Sequence, residues 1–378
     1  MKITGVHAHV LEAELSEPFA YSRMWYAKRM SMIVEIVTDD GITGWGECYG
    51  PARINAAVVR ELGTFLIGQD PLRSEYLWHE LYARYRDHGQ KGVVIQGLSG
   101  IDIALWDLKG KYLGQPVHRL MGGPVRDKVK AYATGLYRRD RPDHTAYLCE
   151  EALESRALGF QAMKLKVGFN VEDDVRAVHA VRKAIGPDIG LMIDANHAYD
   201  AVEAIRLGRR IEDADIGWFE EPVPPEDLDG HAAVKAALSI PIATGECEFT
   251  RIGFRPLLER RVADIIQPDL CAAGGLSEGK KISDMALAYG VRMAPHVWGT
   301  GIAVAAAVQL LAVMPWWTPP SLEPVEPMLE FDRTEHPVRS ALLQTPVAPA
   351  HGYVTVPTGP GLGIEVNRDV LTRFKASG

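Results

Sequence analysis

Two runs decide the reading of this chain: Ala162-Met163-Lys164-Leu165-Lys166-Val167 and, beyond one amphipathic helical segment, Leu191-Met192-Ile193-Asp194. Each is short, apolar and closed by charge. The same unit recurs at intervals of roughly 25 residues, about the length of one strand-plus-helix repeat. The runs are Val129–Thr134, Ala162–Val167, Leu191–Asp194, Trp218–Glu220, Ile242–Glu246, Ile265–Asp269 and Val291–His296, with a less distinct eighth near Leu322. Strand and helix in strict alternation predict a parallel sheet. Eight such units predict a closed (βα)8 barrel of α/β class, spanning residues 126–340. An open doubly wound sheet would carry a Gly-rich phosphate turn after its first strand, and no G-x-G-x-x-G occurs.

Outside this region the rhythm changes. Residues 1–125 predict an α+β domain. Met32–Trp45 reads as a β-hairpin turning at Asp39-Asp40-Gly41, because Asp-Gly between apolar runs is a strong turn signal. Helical spacing follows at Leu77, Leu81 and Tyr85, and again at Ile101, Ala104, Leu105 and Leu108. Gly301–Met314 is apolar but shorter than a membrane span and contains Gln309, so it predicts a buried helix. The tail from Pro346 is rich in Gly and Pro and ends in Val370–Phe374.

The 378 residues, 47% apolar and 24% charged, suit a barrel plus a smaller domain. A net charge of −8 argues against nucleic acid or an anionic membrane as partner. The four cysteines (Cys48, Cys149, Cys247, Cys271) form no Cys-x-x-Cys pair, which fits a reducing compartment. His7, His9 and Glu12 stand where a signal peptide needs an apolar run, so a cytoplasmic location is expected.

The chemistry lies in the strand ends. Lys164 and Lys166, Asp194, Glu220, Glu246, Asp269 and His296 close strands two to seven. Strands of a barrel run one way, so these side chains gather at one mouth, where barrel enzymes place their sites. Asp194, Glu220 and Glu246 would repel one another unless a cation lay between them. All-oxygen ligands favour Mg2+ or Mn2+. A single acid at a strand end more simply caps the next helix, but three at successive strand ends do not fit that explanation. Lys164 and Lys166, two apart on a strand, face one side, and two close ammonium groups lower each other's pKa. A carboxylate on one nitrogen of His296, supplied by Asp269, would make the other nitrogen a better base. Lysine and histidine would then flank a metal-held carboxylate, ready to remove the proton beside it.

These motifs resemble the enolase superfamily, in its mandelate racemase/muconate lactonizing enzyme branch. The matching stretches are Lys164-Leu165-Lys166, Asp194-Ala195-Asn196, Phe219-Glu220-Glu221-Pro222, Gly245-Glu246, Gln267-Pro268-Asp269, Pro295-His296 and Ser99–Lys111. The resemblance implies Mg2+ on Asp194, Glu220 and Glu246, Lys166 as base on one face with Lys164 touching the substrate carboxylate, and the His296–Asp269 dyad on the other. It also implies an enolate-binding glutamate near the eighth strand, Glu326, with Glu323 equally compatible. The C-terminal segment 341–378 would return to the N-terminal domain, and the chain would form a homo-oligomer. Loops of that domain would close over the mouth, placing Trp25, Tyr49 and Arg53 on the substrate together with Trp298.

Three further stretches, Pro295–Gly301, Glu330–Thr334 and Gly359–Glu365, are similar to the sugar-diacid-lactone cycloisomerases of this branch. That similarity implies opening of a hexaric acid lactone (galactarolactone) by β-elimination to a 3-deoxy-2-keto diacid. Dehydration of an open-chain aldonate or aldarate, and racemisation or epimerisation, use the same residues and stay open. A metal hydrolase would carry His-x-His on the first strand, and Val129–Thr134 has none. A non-catalytic role would tolerate loss of the carboxylates or bases, and all are present.

Overall fold

The computed structural model describes residues 1–316 and 325–377. The cap opens with an antiparallel sheet of β1 (Ile3–Ala20), β2 (Trp25–Thr38) and β3 (Thr43–Cys48), the last two joined by the expected turn. The long β1 went unread in the sequence. Its His7, His9, Glu12 and Glu14 lie on a strand only partly covered, so the apolar signal is diluted. Three helices follow, Ala52–Leu66, Ser74–Tyr85 and Val93–Leu113. The third lies directly on β3 because Gly44 and Gly46 leave room: a Cβ at either would overlap the carbonyl of Ala104 or Gly100.

The second unit is a barrel of eight parallel strands: β4 (Lys128–Thr134), β5 (Ala162–Lys166), β6 (Gly190–Asp194), β7 (Ile216–Glu220), β8 (Ile242–Thr244), β9 (Ile265–Ile266), β10 (Arg292–Met293) and β11 (Leu329–Asp332). Seven parallel ladders join them in cyclic order, with β11 beside β4. Among the described residues no ladder joins β10 to β11, and that seam is bridged by the Glu330 carboxylate accepting from Val297 N–H at 2.9 Å. The eighth strand is therefore seven residues later than expected near Leu322, a position outside the described residues. The apolar segment Gly301–Val313 is, as expected, a helix buried along its whole length. No helix among the described residues is long and apolar enough to cross a membrane.

Strand alternation sorts the barrel into layers. Met163, Leu165, Leu191, Ile193 and Phe219 point out against the helices. Tyr132, Ala162, Met192, Trp218, Ala243, Ile265 and Ala294 fill the interior, with Tyr132 and Trp218 edge to face at 5.3 Å. The next inward positions carry the charged strand ends. An apolar plug thus floors the mouth.

Cap and barrel are joined by buried carboxylates placed at helix N-termini, where orphan N–H groups collect. Glu47 at the end of β3 accepts from Thr300 N–H, the Thr300 hydroxyl and Ala303 N–H at the start of the Gly301–Val313 helix. Burial pushes the Glu47 carboxyl up to about 7, against those bonds. Asp102 does the same for Ser277, through its N–H at 2.9 Å and hydroxyl at 2.6 Å. The C-terminal segment touches both units: β12 (Tyr353–Thr355) pairs antiparallel with the barrel strand β4, and Ala376 N–H donates to Val10 O of β1 in the cap at 2.9 Å.

Glu47→Gln and Asp102→Asn each turn an acceptor into a donor facing N–H groups. Each is expected to lower unfolding free energy by about 1–3 kcal/mol. The check is the urea midpoint, and a midpoint unchanged in both variants would show that these pins carry no weight.

Candidate active site

Lys164 and Lys166 share the inward face of β5, Asp194 ends β6 and Glu220 ends β7. Beyond β8 the chain must turn to bring Glu246 inward, and Gly245 does this at φ 129°. A Cβ there would meet the Phe254 ring and Gln267 N, so only glycine fits. Asn196, His197 and Glu221, just past Asp194 and Glu220, hold left-handed backbone at φ 45°, 60° and 42°. Such conformations cost free energy for non-glycine residues and cluster at functional sites.

The charges are closely interlocked. Lys164 Nζ, fully buried, pairs with Glu220, lies 2.9 Å from Glu330 and 3.6 Å from Asp194. Lys166 Nζ pairs with Asp194 and donates to Asn196 Oδ1 at 3.0 Å. Glu220 also accepts from Gln267 Nε2 at 2.6 Å and Trp218 Nε1 at 2.9 Å. Across the mouth, His296 Nδ1 is 2.7 Å from Asp269, and its Nε2 is 3.5 Å from Glu246. Burial favours neutral lysine, but Glu220, Glu330, Tyr132 and Asp194 outweigh it and hold Lys164 well above its ordinary range. Burial likewise opposes the Lys166 charge, and Asp194 overrides it. The lysine pair was expected to lower Lys166; Lys164 does act downward, but Asp194 outweighs it and holds Lys166 above its ordinary range. Burial pushes Glu220 up to about 7 despite Lys164, with Asp194, Glu330 and Glu246 adding to the rise. For His296, Glu246, Glu330 and Asp269 overcome burial and push the imidazole up to about 10.

One oxygen each of Asp194, Glu220 and Glu246 lies within 4.8 Å of the others. Glu246 Oε2 is buried without a hydrogen-bond partner. A buried carboxylate oxygen with no hydrogen bond, its near partner being His296 Nε2 at 3.5 Å, beside two other carboxylates fits a divalent cation with oxygen ligands. The cluster could hold a metal ion.

The site opens into a cavity of about 150 Å³, lined by Tyr21, Tyr26, Tyr49, Tyr137, Lys166, Asn196, His197, Glu246, Cys247, His296 and Trp298. A second cavity of about 550 Å³ adjoins it through Tyr26, Tyr49 and Trp298 and reaches out to Met24 and Trp25. Arg29 stacks on Trp298 at 3.7 Å and is held by Asp332 at 3.2 Å and the Thr334 hydroxyl at 2.9 Å.

Residues 5–122 match the mandelate racemase/muconate lactonizing enzyme N-terminal domain, and residues 147–370 match the enolase C-terminal domain-like family. The chain belongs to the mandelate racemase/muconate lactonizing enzyme family of the enolase superfamily. It is 52% identical to a D-galactarolactone cycloisomerase of Agrobacterium fabrum over 99% of both chains. It is 33% identical to an arabinonate dehydratase of Saccharolobus solfataricus over 90% of this chain and 89% of that one. The crystal structure of the 3,6-anhydro-D-galactonate cycloisomerase from Zobellia galactanivorans superposes with a TM-score of 0.91, at 42% identity and full coverage of both chains. Like these relatives, the chain is an enzyme of the isomerase or lyase kind.

Within this family member, Asp194, Glu220, Glu246, Lys164, Lys166, Asp269 and His296 all meet at the mouth. Lys164 does not line the cavity; it lies beneath, bound to carboxylates. Glu326 is not brought to the site. It lies near Arg126 and Tyr353, which neighbour the opposite end of β4. The inward acid of the eighth strand is Glu330, bonded to Thr134 Oγ1 at 2.6 Å as well as to Lys164. Glu323 lies outside the described residues. Arg53 is also displaced. On its helix Ala52 and Asn55 face inward, so Arg53 faces out, 2.8 Å from Ser377 O and 3.6 Å from Glu12. Tyr49 and Trp298 line both cavities, and Trp25 the outer one. Glu330 and Tyr137 were missed, and Glu330 alone left a trace, in the alternation Leu329-Glu330-Phe331-Asp332.

Glu246→Gln keeps the shape of the side chain but removes its charge. Divalent-metal affinity, read by Mn2+ binding, should fall at least about tenfold, with the circular dichroism unchanged. An unaltered isotherm would rule out this cluster as the metal site.

Proposed function

We propose that this enzyme opens the lactone ring of a hexaric acid, of the galactarolactone class, to a 3-deoxy-2-keto diacid, with Mg2+ on Asp194, Glu220 and Glu246. The observation that carries this reading is that Lys166 and His296 line one cavity beside the carboxylate cluster. The high identity to a named cycloisomerase supports the substrate class. When bound, the ion would neutralise the cluster, hold the substrate carboxylate and stabilise charge on its enediolate.

Lys166 and His296 are the proton carriers. Lys166 pairs with Asp194, and an ion held by Asp194 would weaken that pairing and favour Lys166 as a base. His296 is held in orientation by Asp269, and the neighbouring carboxylates favour its charged form, which places it to give a proton. Glu330 and Lys164 form a buried support that fixes Glu220. The α-carbon loses its proton, and the bond from the β-carbon to the ring oxygen breaks. The enol then ketonises by gaining a proton at the β-carbon. No water is lost, and the freed carboxyl ionises.

Acid-sugar dehydration is the second reading, favoured by relatives such as D-galactonate dehydratase of Pectobacterium atrosepticum at 35% identity. There the leaving oxygen is a hydroxyl rather than a ring oxygen. We place the protein in the cytoplasm, where its four free cysteines stay reduced.

Incubation with Mg2+ in D2O against hexaric acid lactones and open-chain acid sugars, followed by NMR, tests both readings. Lactone opening with deuterium at the β-carbon is expected. Lys166→Ala and His296→Asn should each slow it by about 10²–10⁴-fold, and chelation should abolish it. Turnover of open-chain acids alone would replace the cycloisomerase by a dehydratase.

A further inference from the structure

A second set of metal-ligating side chains stands immediately after the first. His197 follows the Asp194-Ala195-Asn196 turn, Glu221 follows Glu220, and Cys247 follows Glu246. One ligand atom from each lies within 4.8 Å of the other two. Cys247 Sγ is 3.8 Å from His197 Nε2, and His197 Nδ1 is 3.2 Å from Glu221 Oε2.

Two features point to a ligand here. Glu221 is fully buried, its Oε1 has no hydrogen-bond partner, and among the described residues His197 is its ion-pair partner in place of any lysine or arginine. Its Oε2 has His197 at 3.2 Å and a long contact from Asn196 Nδ2 at 3.5 Å, so a cation reaching the free Oε1 would offset the cost of burying this carboxylate. The donor set is also different in kind from that of Asp194, Glu220 and Glu246. Sulfur, nitrogen and oxygen together suit Zn2+ or Co2+, whereas three carboxylates suit Mg2+.

We propose that His197, Glu221 and Cys247 form a second site for a thiophilic divalent cation such as Zn2+, adjacent to the all-oxygen cluster. Three protein ligands leave a coordination position open, as in exchangeable zinc sites. On binding, the Cys247 thiol releases its proton to solvent and ligates as thiolate. His197 and Cys247 line the same cavity as Lys166 and His296, so an occupied second site obstructs the substrate. The cation is thus an inhibitor sensed at the mouth, and the proposal stands whichever acid sugar the enzyme takes.

The test uses the full-length protein with excess Mg2+, titrated with Co2+ and read by the near-ultraviolet thiolate-to-cobalt charge-transfer band. A saturable band is expected. Cys247→Ser should abolish it while leaving circular dichroism and Mn2+ binding at the first cluster intact. His197→Ala should weaken cobalt binding at least about tenfold. A band that survives Cys247→Ser, arising from the partly exposed Cys149, or no band at all, would overturn the proposal. Should Cys247→Ser not fold, Glu221→Gln and His197→Ala retain the thiol, and unchanged cobalt affinity in both would be equally fatal. Independently, Zn2+ should protect Cys247 from iodoacetamide, mapped by mass spectrometry, and equal labelling with and without Zn2+ would reject the site.

Discussion

The ammonium of Lys164 is the charge around which the barrel mouth is organised. It is fully buried, and it touches Glu220, Glu330 and Asp194. Desolvating such a group costs several kcal/mol, and it remains charged only because carboxylates surround it. The dependence is mutual, since those carboxylates could not stand so close without it. Beneath it the barrel is apolar, closed by Tyr132 and Trp218. The polar layer therefore cannot sink into the interior, and the strands, not the loops, fix where Asp194 and Glu220 stand. Sites built on strands hold their geometry better than sites built on loops.

The cap contributes walls rather than charge carriers. Tyr21 and Tyr26 stack at 5.9 Å, and Tyr49 meets the His296 ring edge-on at 5.1 Å. Arg29 reaches from β2 to Asp332 and lies across Trp298 on the way. One guanidinium thus ties a cap strand, a barrel strand and a cavity wall together. Glu47 and Asp102 act similarly at helix N-termini, so the walls are set by buried contacts between the two units.

The parts of the fold legible in the sequence were those where one local rule was enough. Apolar runs ending in charge marked six of the strands around the site, even β9 and β10, which are only two residues long. The eighth was lost because Leu329-Glu330-Phe331-Asp332 alternates like a half-exposed strand, whereas three of its four residues are buried in a closed barrel. The acid-rich, Pro-rich Glu323–Pro327 drew the reading away from it. Arg53 was misplaced for want of helix phase: the chain turns helical one residue before it, and its neighbours take the inward face. Tyr137 has no spacing signal at all, since its place in the cavity depends on cap and barrel meeting. The direction of the Lys166 shift also depends on a contact, with Asp194, that no spacing on one strand reveals.

Among the relatives of this chain are a D-galactarolactone cycloisomerase and an arabinonate dehydratase, so likeness of the whole barrel does not by itself select one reaction. Selection must come from the walls. In this chain the wall is aromatic: Tyr21, Tyr26, Tyr49, Tyr137 and Trp298, with Trp25 further out. An open-chain acid sugar carries a hydroxyl on nearly every carbon and must leave water or hydrogen bonds on all sides. A lactone folds its carbons into a ring with less polar C–H faces, which an aromatic side chain can cover at little desolvation cost. Trp298, braced by Arg29 and with its indole N–H buried without a partner, offers both a face for the ring and a donor for an oxygen on it. For the lactone proposed above, that pairing of an apolar face with one unspent donor is what would hold the ring.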